Sequence, residues 1–294
     1  MGAKFPGKIY PYFLLLPSLA VIGFFIYLPM FQTIHMSLYK SLFMGLRTLY
    51  VGMENYTDLF ASRAYLNSFL TTFTFGGLVV VLSMTVSFLM AILANQKVAG
   101  ARFYRTALVW PYALSPAIAG SIWLFIFNPS VGVLNYFLDS FIGIRPDWIS
   151  NANLAFFMVV ITAVWKQLGY NVVFFLAALQ NVPGDIVEAA HIDGANAIQR
   201  YWKVIIPLMS PTAFFLLTMN LIYAFFDTFG LIDVMTRGGP VDATNVLIYH
   251  LYRDAFEFSK TGYAAAQSII LFILVMGIMF VQFRTAGRRV HYSN

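Results

Sequence analysis

The sequence contains no cysteine, which excludes disulfides, iron–sulfur clusters and thiolate metal sites. Its four histidines, His35, His191, His250 and His291, are scattered without the spacing of metal ligands. There is no Gly-x-x-x-x-Gly-Lys-Ser/Thr phosphate loop, no Gly-x-Ser-x-Gly or His-Glu-x-x-His motif, and no pair of carboxylates inside an apolar run. Catalysis and ATP binding by this chain are therefore not expected, nor is a metal or cofactor. Charge is scarce as well. Only 10% of the residues are charged, where an ordinary soluble domain carries roughly 25%. Apolar residues fill the gap, at 60% of the chain, with 30 Phe and 17 Tyr. This is the composition of a polytopic membrane protein.

About 20 apolar residues carry a helix across the hydrocarbon core. Six segments are long enough, at about 11–32, 66–94, 106–127, 154–180, 208–232 and 263–283. They predict one transmembrane domain over residues 1–294, all-α in class. Pro17 and Pro29 in the first segment, and Pro111 and Pro116 in the third, predict kinks or late helix starts, which lipid-embedded helices tolerate. The first segment is too long for a signal peptide's apolar region and lacks a small-residue cleavage site, so it is expected to stay as a span.

Lys and Arg in the connections set the expected orientation. One side holds Lys4, Lys8, Lys97, Arg102, Arg105, Arg200, Lys203, Arg284, Arg288 and Arg289. The other, spread over longer connections, holds Lys40, Arg47, Arg63, Arg145, Arg237, Arg253 and Lys260. The denser side is expected to be cytoplasmic, which puts both termini and residues 183–207 inside. The net charge of +6 is largely this bias, so nucleic acid is not needed as a partner. The outer connections "VGMENYTDLF", "FNPSVGVLNYF" and "TRGGPVDATN" mix aromatics with turn formers, and are expected to be ordered caps.

Residues 185–211, "DIVEAAHIDGANAIQRYWKVIIPLMSP", read as two short helices between apolar runs. Asp185 with Glu188 three positions later is close to a capping box, so a helix is expected from Asp185 to a stop at Gly194. A second follows with Ile198, Tyr201, Trp202, Ile205 and Ile206 on one face, and Pro207 marks the turn into the next span. A plain interfacial helix anchored by Trp202 and Lys203 is one reading of this stretch. The other is a docking element, because "EAAHIDGA" is too small and flat to seek lipid and lets another protein come close.

Two spans carry polar groups. Lys166 lies about 18 Å from the outer end of its span at about 1.5 Å per residue, where a cation costs roughly 2.5–3.5 kcal/mol. On a wheel of about 100° per residue, Lys166, Gln167, Tyr170 and Asn171 form one arc. In the fifth span Asn220, Tyr223 and Asp227 fall within about 60° of one another. Interhelical hydrogen bonding and the lining of a translocation pathway both remain open for these residues. A Lys166–Asp227 pair is disfavoured, because Asp227 sits nearer the outer surface.

Glu188-Ala189-Ala190, Asp193-Gly194-Ala195 and the closing Pro207 resemble the EAA loop of the permease subunits of ABC importers. Ile206 stands before Pro207 where many members have leucine. "TRGGP" at 236–240, "VWKQLGYNVVFFLAALQ" at 164–180, "NLIYAFFDTFGLID" at 220–233 and "LIYHLYRDAF" at 247–256 extend the likeness to the branch that carries sugars and glycerol-3-phosphate. The resemblance implies a six-helix permease of the type I importer fold in a bacterial inner membrane. It also implies that the helix pair at 183–207 couples to ATPase subunits outside this chain. The implied partners are a second homologous permease, two cytosolic ATPase subunits and a periplasmic substrate-binding protein. A permease for maltose or trehalose has the same architecture. A stand-alone secondary transporter would instead show inverted repeats.

With no native cysteine to interfere, single introduced cysteines test the topology. One in the "TRGGP" turn should react with an impermeant maleimide only from outside; labelling only from the cytoplasmic face would overturn the arrangement.

Overall fold

The computed structural model describes residues 10–42, 47–96 and 100–285. Lys4, Lys8, Lys97, Arg288, Arg289 and His291, and with them both termini, lie outside the described residues. The chain forms two compact units, residues 1–63 with 251–272, and residues 64–250 with 273–294.

The smaller unit begins with α1, Tyr12–Met36, an apolar helix whose side chains are almost all exposed. Pro29 has no N–H to offer the Phe25 carbonyl. The helix widens ahead of it into a π-turn, Gly23–Tyr27, in which Leu28 N–H reaches back to the Gly23 carbonyl. A two-stranded hairpin follows, β1 Tyr39–Leu42 against β2 Arg47–Tyr50, antiparallel with Tyr39 opposite Tyr50. The helical pattern in the sequence carried no sign of it. Helix α2, Glu54–Ala61, holds the hairpin: the buried Asn55 amide donates to the Ser37 and Tyr39 carbonyls at 2.7 and 2.9 Å. Lys40 meets Glu54 at 2.6 Å and Asp58 at 2.9 Å, and these carboxylates hold its ammonium above the ordinary lysine range. "VGMENYTDLF" is thus an ordered cap.

The larger unit contains most of α3, Arg63–Ala94. After it come α4, Phe103–Ala113, and α5, Pro116–Ile126. The short α6, Val133–Ile142, precedes α7, Ala152–Gln180. The chain continues through α8, Gly184–Ile192, α9, Ala197–Leu208, and α10, Ser210–Asp227. It closes with α11, Phe229–Met235, the start of α12, Leu247–Tyr252, and the end of α13, Thr261–Thr285.

Helix α7 is the axis of this unit, with 61% of its most apolar stretch buried, against 28% for α3 and 33% for α13. Gly169 lets α4 reach it closely. A Cβ there would lie 2.8 Å from the Val109 carbonyl oxygen and 2.9 Å from that of Leu108, so even alanine would push two backbones apart. Gly120 and Gly230 play the same part between α5 and α11, where added Cβ atoms would stand 3.3 Å from Met235 and 3.1 Å from Pro116.

Two of the six expected spans are not single rods. The third, 106–127, is α4 and α5 bent by 105°. Pro111 sits in a tight 3-10 turn, Ser115 caps α5 by accepting from Ile118 N–H at 3.3 Å, and Pro116 occupies the first turn, where its missing N–H costs nothing. The fifth begins at Ser210 rather than 208, after a 74° turn at Met209 from α9, and it breaks again at Thr228. Among the described residues, four helices are individually long and apolar enough to cross a membrane, and up to six spans result if each bent pair counts as one.

The two remaining connections expected to face outward are also ordered. Asn135 donates to the Pro129 and Pro146 carbonyls at 3.1 and 2.9 Å, and accepts from the Trp148 indole at 2.8 Å. Thr244 donates to the Gly239 carbonyl at 2.9 Å. Gly238 has φ +78°, and a Cβ there would press on the Tyr249 ring at 2.9 Å. Val241, 95% exposed, is therefore the better site beside this turn for a labelling cysteine.

Candidate functional site

The arc of polar residues on α7 divides. Asn171 and Asn220, both 0% exposed, exchange amide hydrogen bonds, Asn171 donating at 3.0 Å and Asn220 at 2.7 Å. The Ser83 hydroxyl donates to the same Asn220 oxygen at 2.9 Å, and the Asn220 amide also donates to the Leu216 carbonyl at 2.8 Å. One polar knot therefore joins α3, α7 and α10. Tyr223 is buried and donates to the Ala163 carbonyl at 3.1 Å. Gln167 is buried too.

Lys166 takes no part in the knot. It is 7% exposed, and its ammonium lies 5.6 Å from the centre of the Tyr112 ring, within the range of a cation–π contact. No carboxylate among the described residues lies within 4.0 Å of it. Asp227 is exposed at the end of the π-turn Tyr223–Asp227, and the structure does not bring it into an ion pair with Lys166. Beyond Tyr112 the aromatic rings continue: Tyr170 at 5.2 Å, then Phe174 at 4.9 Å and Phe215 at 5.2 Å. The cluster thus offers one cation with unused hydrogen-bonding capacity beside a row of aromatic faces and phenol groups.

Tyr112 and Ser83 escape the sequence reading. Ser83 and Ser87, with Ala91 four positions further on, form a small-residue stripe of the kind that packs membrane helices. Tyr112 stands in "WPYALSP", and only the bend there turns it toward Lys166.

The connection after α7 forms two helices, with differences from expectation. Helix α8 starts at Gly184 after Pro183, and no side chain caps it. Asp185 and Glu188 do not form a capping box. Glu188 is exposed, with no hydrogen bond or ion pair among the described residues. The capping box lies in α9, where Asn196 accepts from Gln199 N–H at 2.9 Å and Gln199 accepts from Asn196 N–H at 3.0 Å. Asn196 stands at the N-cap of α9 with an extended backbone, whereas Asp185 falls inside the first turn of α8, whose N-cap position is taken by Pro183.

Gly194 ends α8 as expected, at φ +83°, with nothing within 4 Å of where a Cβ would stand. Ala195 N–H closes the turn on the Ala190 carbonyl at 3.0 Å. Ala189 and Asp193 are exposed, and no residue of α8 is buried. The Arg200 guanidinium, which can only donate, reaches His191 Nδ1 at 2.7 Å and ties the two helices together. Pro207 lies at the end of α9, behind a second π-turn, Tyr201–Ile205.

Residues 83–290 match the family described as the binding-protein-dependent transport system inner membrane component. The chain belongs to this family. Curated relatives named sn-glycerol-3-phosphate transport system permease protein UgpA, from Brucella abortus and Rhizobium meliloti, are each 44% identical over 289 residues, covering 98% of both chains. The fold is that of ABC importer permeases. A subunit of a bacterial ABC transporter for alginate import superposes with a TM-score of 0.82 over 95% of each chain at 22% identity. A subunit of the MetNI methionine transporter gives 0.52 over 77% of this chain and 96% of its own, at 16% identity. The chain is a multi-pass inner-membrane permease component rather than an enzyme.

Substitution should separate the polar knot from the lysine. Asn220→Ala leaves the Asn171 amide and the Ser83 hydroxyl without their partner. It should lower the thermal stability of the purified permease by about 1–2 kcal/mol, the range for interhelical hydrogen bonds. Asn171→Ala made on top of it should cost less than it does alone, because the two act as a pair. Additive losses in a melting experiment would show that the pair is not coupled.

Proposed function

We propose that this permease forms half of the translocation pathway of an ATP-driven importer for sn-glycerol-3-phosphate or glycerophosphodiesters. The observation that carries this reading is the 44% identity, over 98% of both chains, to permeases named for that solute. Lys166 supports it: a lone cation deep in a span costs energy that an anionic solute would offset. A second homologous permease supplies the other half. Two cytosolic ATPase subunits and a periplasmic receptor complete the assembly, since the sequence has no phosphate loop of its own. Both termini and α8–α9 face the cytoplasm in this reading, which the Lys/Arg bias supports.

In this reading Lys166 attracts the phosphate, with Tyr170, Gln167 and the newly found Tyr112 along the same route. Tyr223 and Asp227 line its outer part, while Asn171 and Asn220 hold the wall together. Glu188-Ala189-Ala190 and Asp193-Gly194-Ala195 form the surface that docks on an ATPase, and Pro207 fixes the exit into α10. The unpaired, exposed Glu188 supports this. So do the uncrowded Gly194 and the His191–Arg200 contact, which lets the pair move as one rigid body. ATP-driven closure of the ATPases would then swing α8 and turn the cavity outward.

Lys166→Met should cut glycerol-3-phosphate uptake by about 10- to 100-fold, the worth of one charge-assisted hydrogen bond, with the complex assembled and its ATPase competent. Normal uptake would remove Lys166 from the pathway.

Glu188→Ala and Gly194→Leu address coupling. Neither side chain supports the bundle, so both variants should reach the membrane. They should lose the ATPase subunits on co-purification, or keep them without receptor-stimulated hydrolysis. Two variants that transport like the parent would leave the segment without a docking role.

A further inference from the structure

Helix α9 divides its apolar residues between two surroundings. Tyr201 and Ile205 turn into the bundle, where Tyr201 meets Phe88 edge to face at 6.5 Å and Phe88 meets Phe175 at 5.4 Å. Ile198 and Trp202 are left 71% and 69% exposed. Between the two sets runs a groove of about 540 Å³, walled by Met84, Phe88 and Ile92 of α3, Phe175 of α7, and Ile198 and Trp202. No acidic side chain lines it.

Cations neighbour the lining residues in sequence. Lys203 is exposed, with no partner among the described residues. Arg200 lies three residues before it. Arg105 is tied to the Ala94 carbonyl at 2.9 Å, two residues beyond Ile92. The π-turn Tyr201–Ile205 sets this arrangement, since it widens the helix where the inward and outward residues part.

We propose that the groove takes an acyl chain of an anionic phospholipid, whose phosphate rests on Lys203. The groove opens at the end of a long apolar helix on which Leu89 and Leu93 are also exposed, the depth at which hydrocarbon gives way to headgroups. A tryptophan beside a lysine is the usual anchor at that depth. Lys203, without a partner among the described residues and next to Trp202 in the chain, complements a lipid with an acidic head, and the basic connections face the anionic leaflet. The lipid thus holds α9 to the membrane while α8 remains free of it.

The test places the full chain, purified with the subunits that stay bound to it, in nanodiscs. These contain phosphatidylcholine plus either phosphatidylglycerol or phosphatidylcholine brominated on one acyl chain. Brominated phosphatidylglycerol should quench a tryptophan component that Trp202→Phe removes, and should do so at a lower mole fraction than brominated phosphatidylcholine. Lys203→Gln should reduce that preference by about fivefold, the effect of one cation near an anionic leaflet, without abolishing quenching. An unquenched Trp202 component would overturn the proposal. Equal quenching by the two lipids would overturn the role of Lys203. A cysteine at Ile198 that cross-links to a co-purifying subunit in high yield would show that protein fills the groove instead.

Discussion

The buried exchange of hydrogen bonds between Asn171 and Asn220 is the contact on which the larger unit turns. Two amides placed in an apolar interior lose their hydration and must satisfy each other. They do so here with two bonds, and Ser83 and the Leu216 carbonyl take up the remaining capacity of Asn220. Since these groups come from α3, α7 and α10, the pair sets the register of three helices together. Apolar packing alone would leave that register less defined, because lipid tails compete on equal terms with leucine.

From that knot the rest of the unit follows. With α7 fixed, Gly169 admits the backbone of α4, and the proline-rich bend after it carries Tyr112 to Lys166. The bend is a consequence of chemistry as much as of packing. Pro111 and Pro116 each remove a backbone donor, and Ser115 restores one hydrogen bond at the new helix start. Lys166 is thereby given an aromatic face and, among the described residues, no carboxylate within 4.0 Å. A buried pair with an acid would neutralise the lysine internally; a cation–π contact leaves its charge available for a solute.

The helix pair beyond α7 obeys a different constraint. Helix α8 has no fully buried residue, with Val187 partly packed against the bundle, and its Glu188 has no partner among the described residues. Helix α9 sends Tyr201 and Ile205 into the bundle and Trp202 outward. The Arg200–His191 contact joins the two. The surfaces proposed for docking and for anchoring thus lie on adjacent helices joined by a single glycine turn, and α9 runs on into α10 through the 74° corner at Met209.

Much of this was legible in the residues themselves. Apolar runs of span length and the stop at Gly194 are local properties, and hydropathy and chain geometry are enough to read them. The EAA-type spacing was equally plain, because a turn between two short helices needs its glycine at a set place. Other features depended on partners distant in sequence. The capping box moved from Asp185 to Asn196 because the backbone entering α8 is set by Pro183. The α7 arc split because Asn171 faces Asn220 across 49 positions, while Lys166 faces a ring that only the 105° bend brings near. A helical wheel shows which residues share a face of a helix. It cannot show what stands opposite, and it was the opposite face that decided which polar groups were paired and which had no hydrogen-bond partner among the described residues.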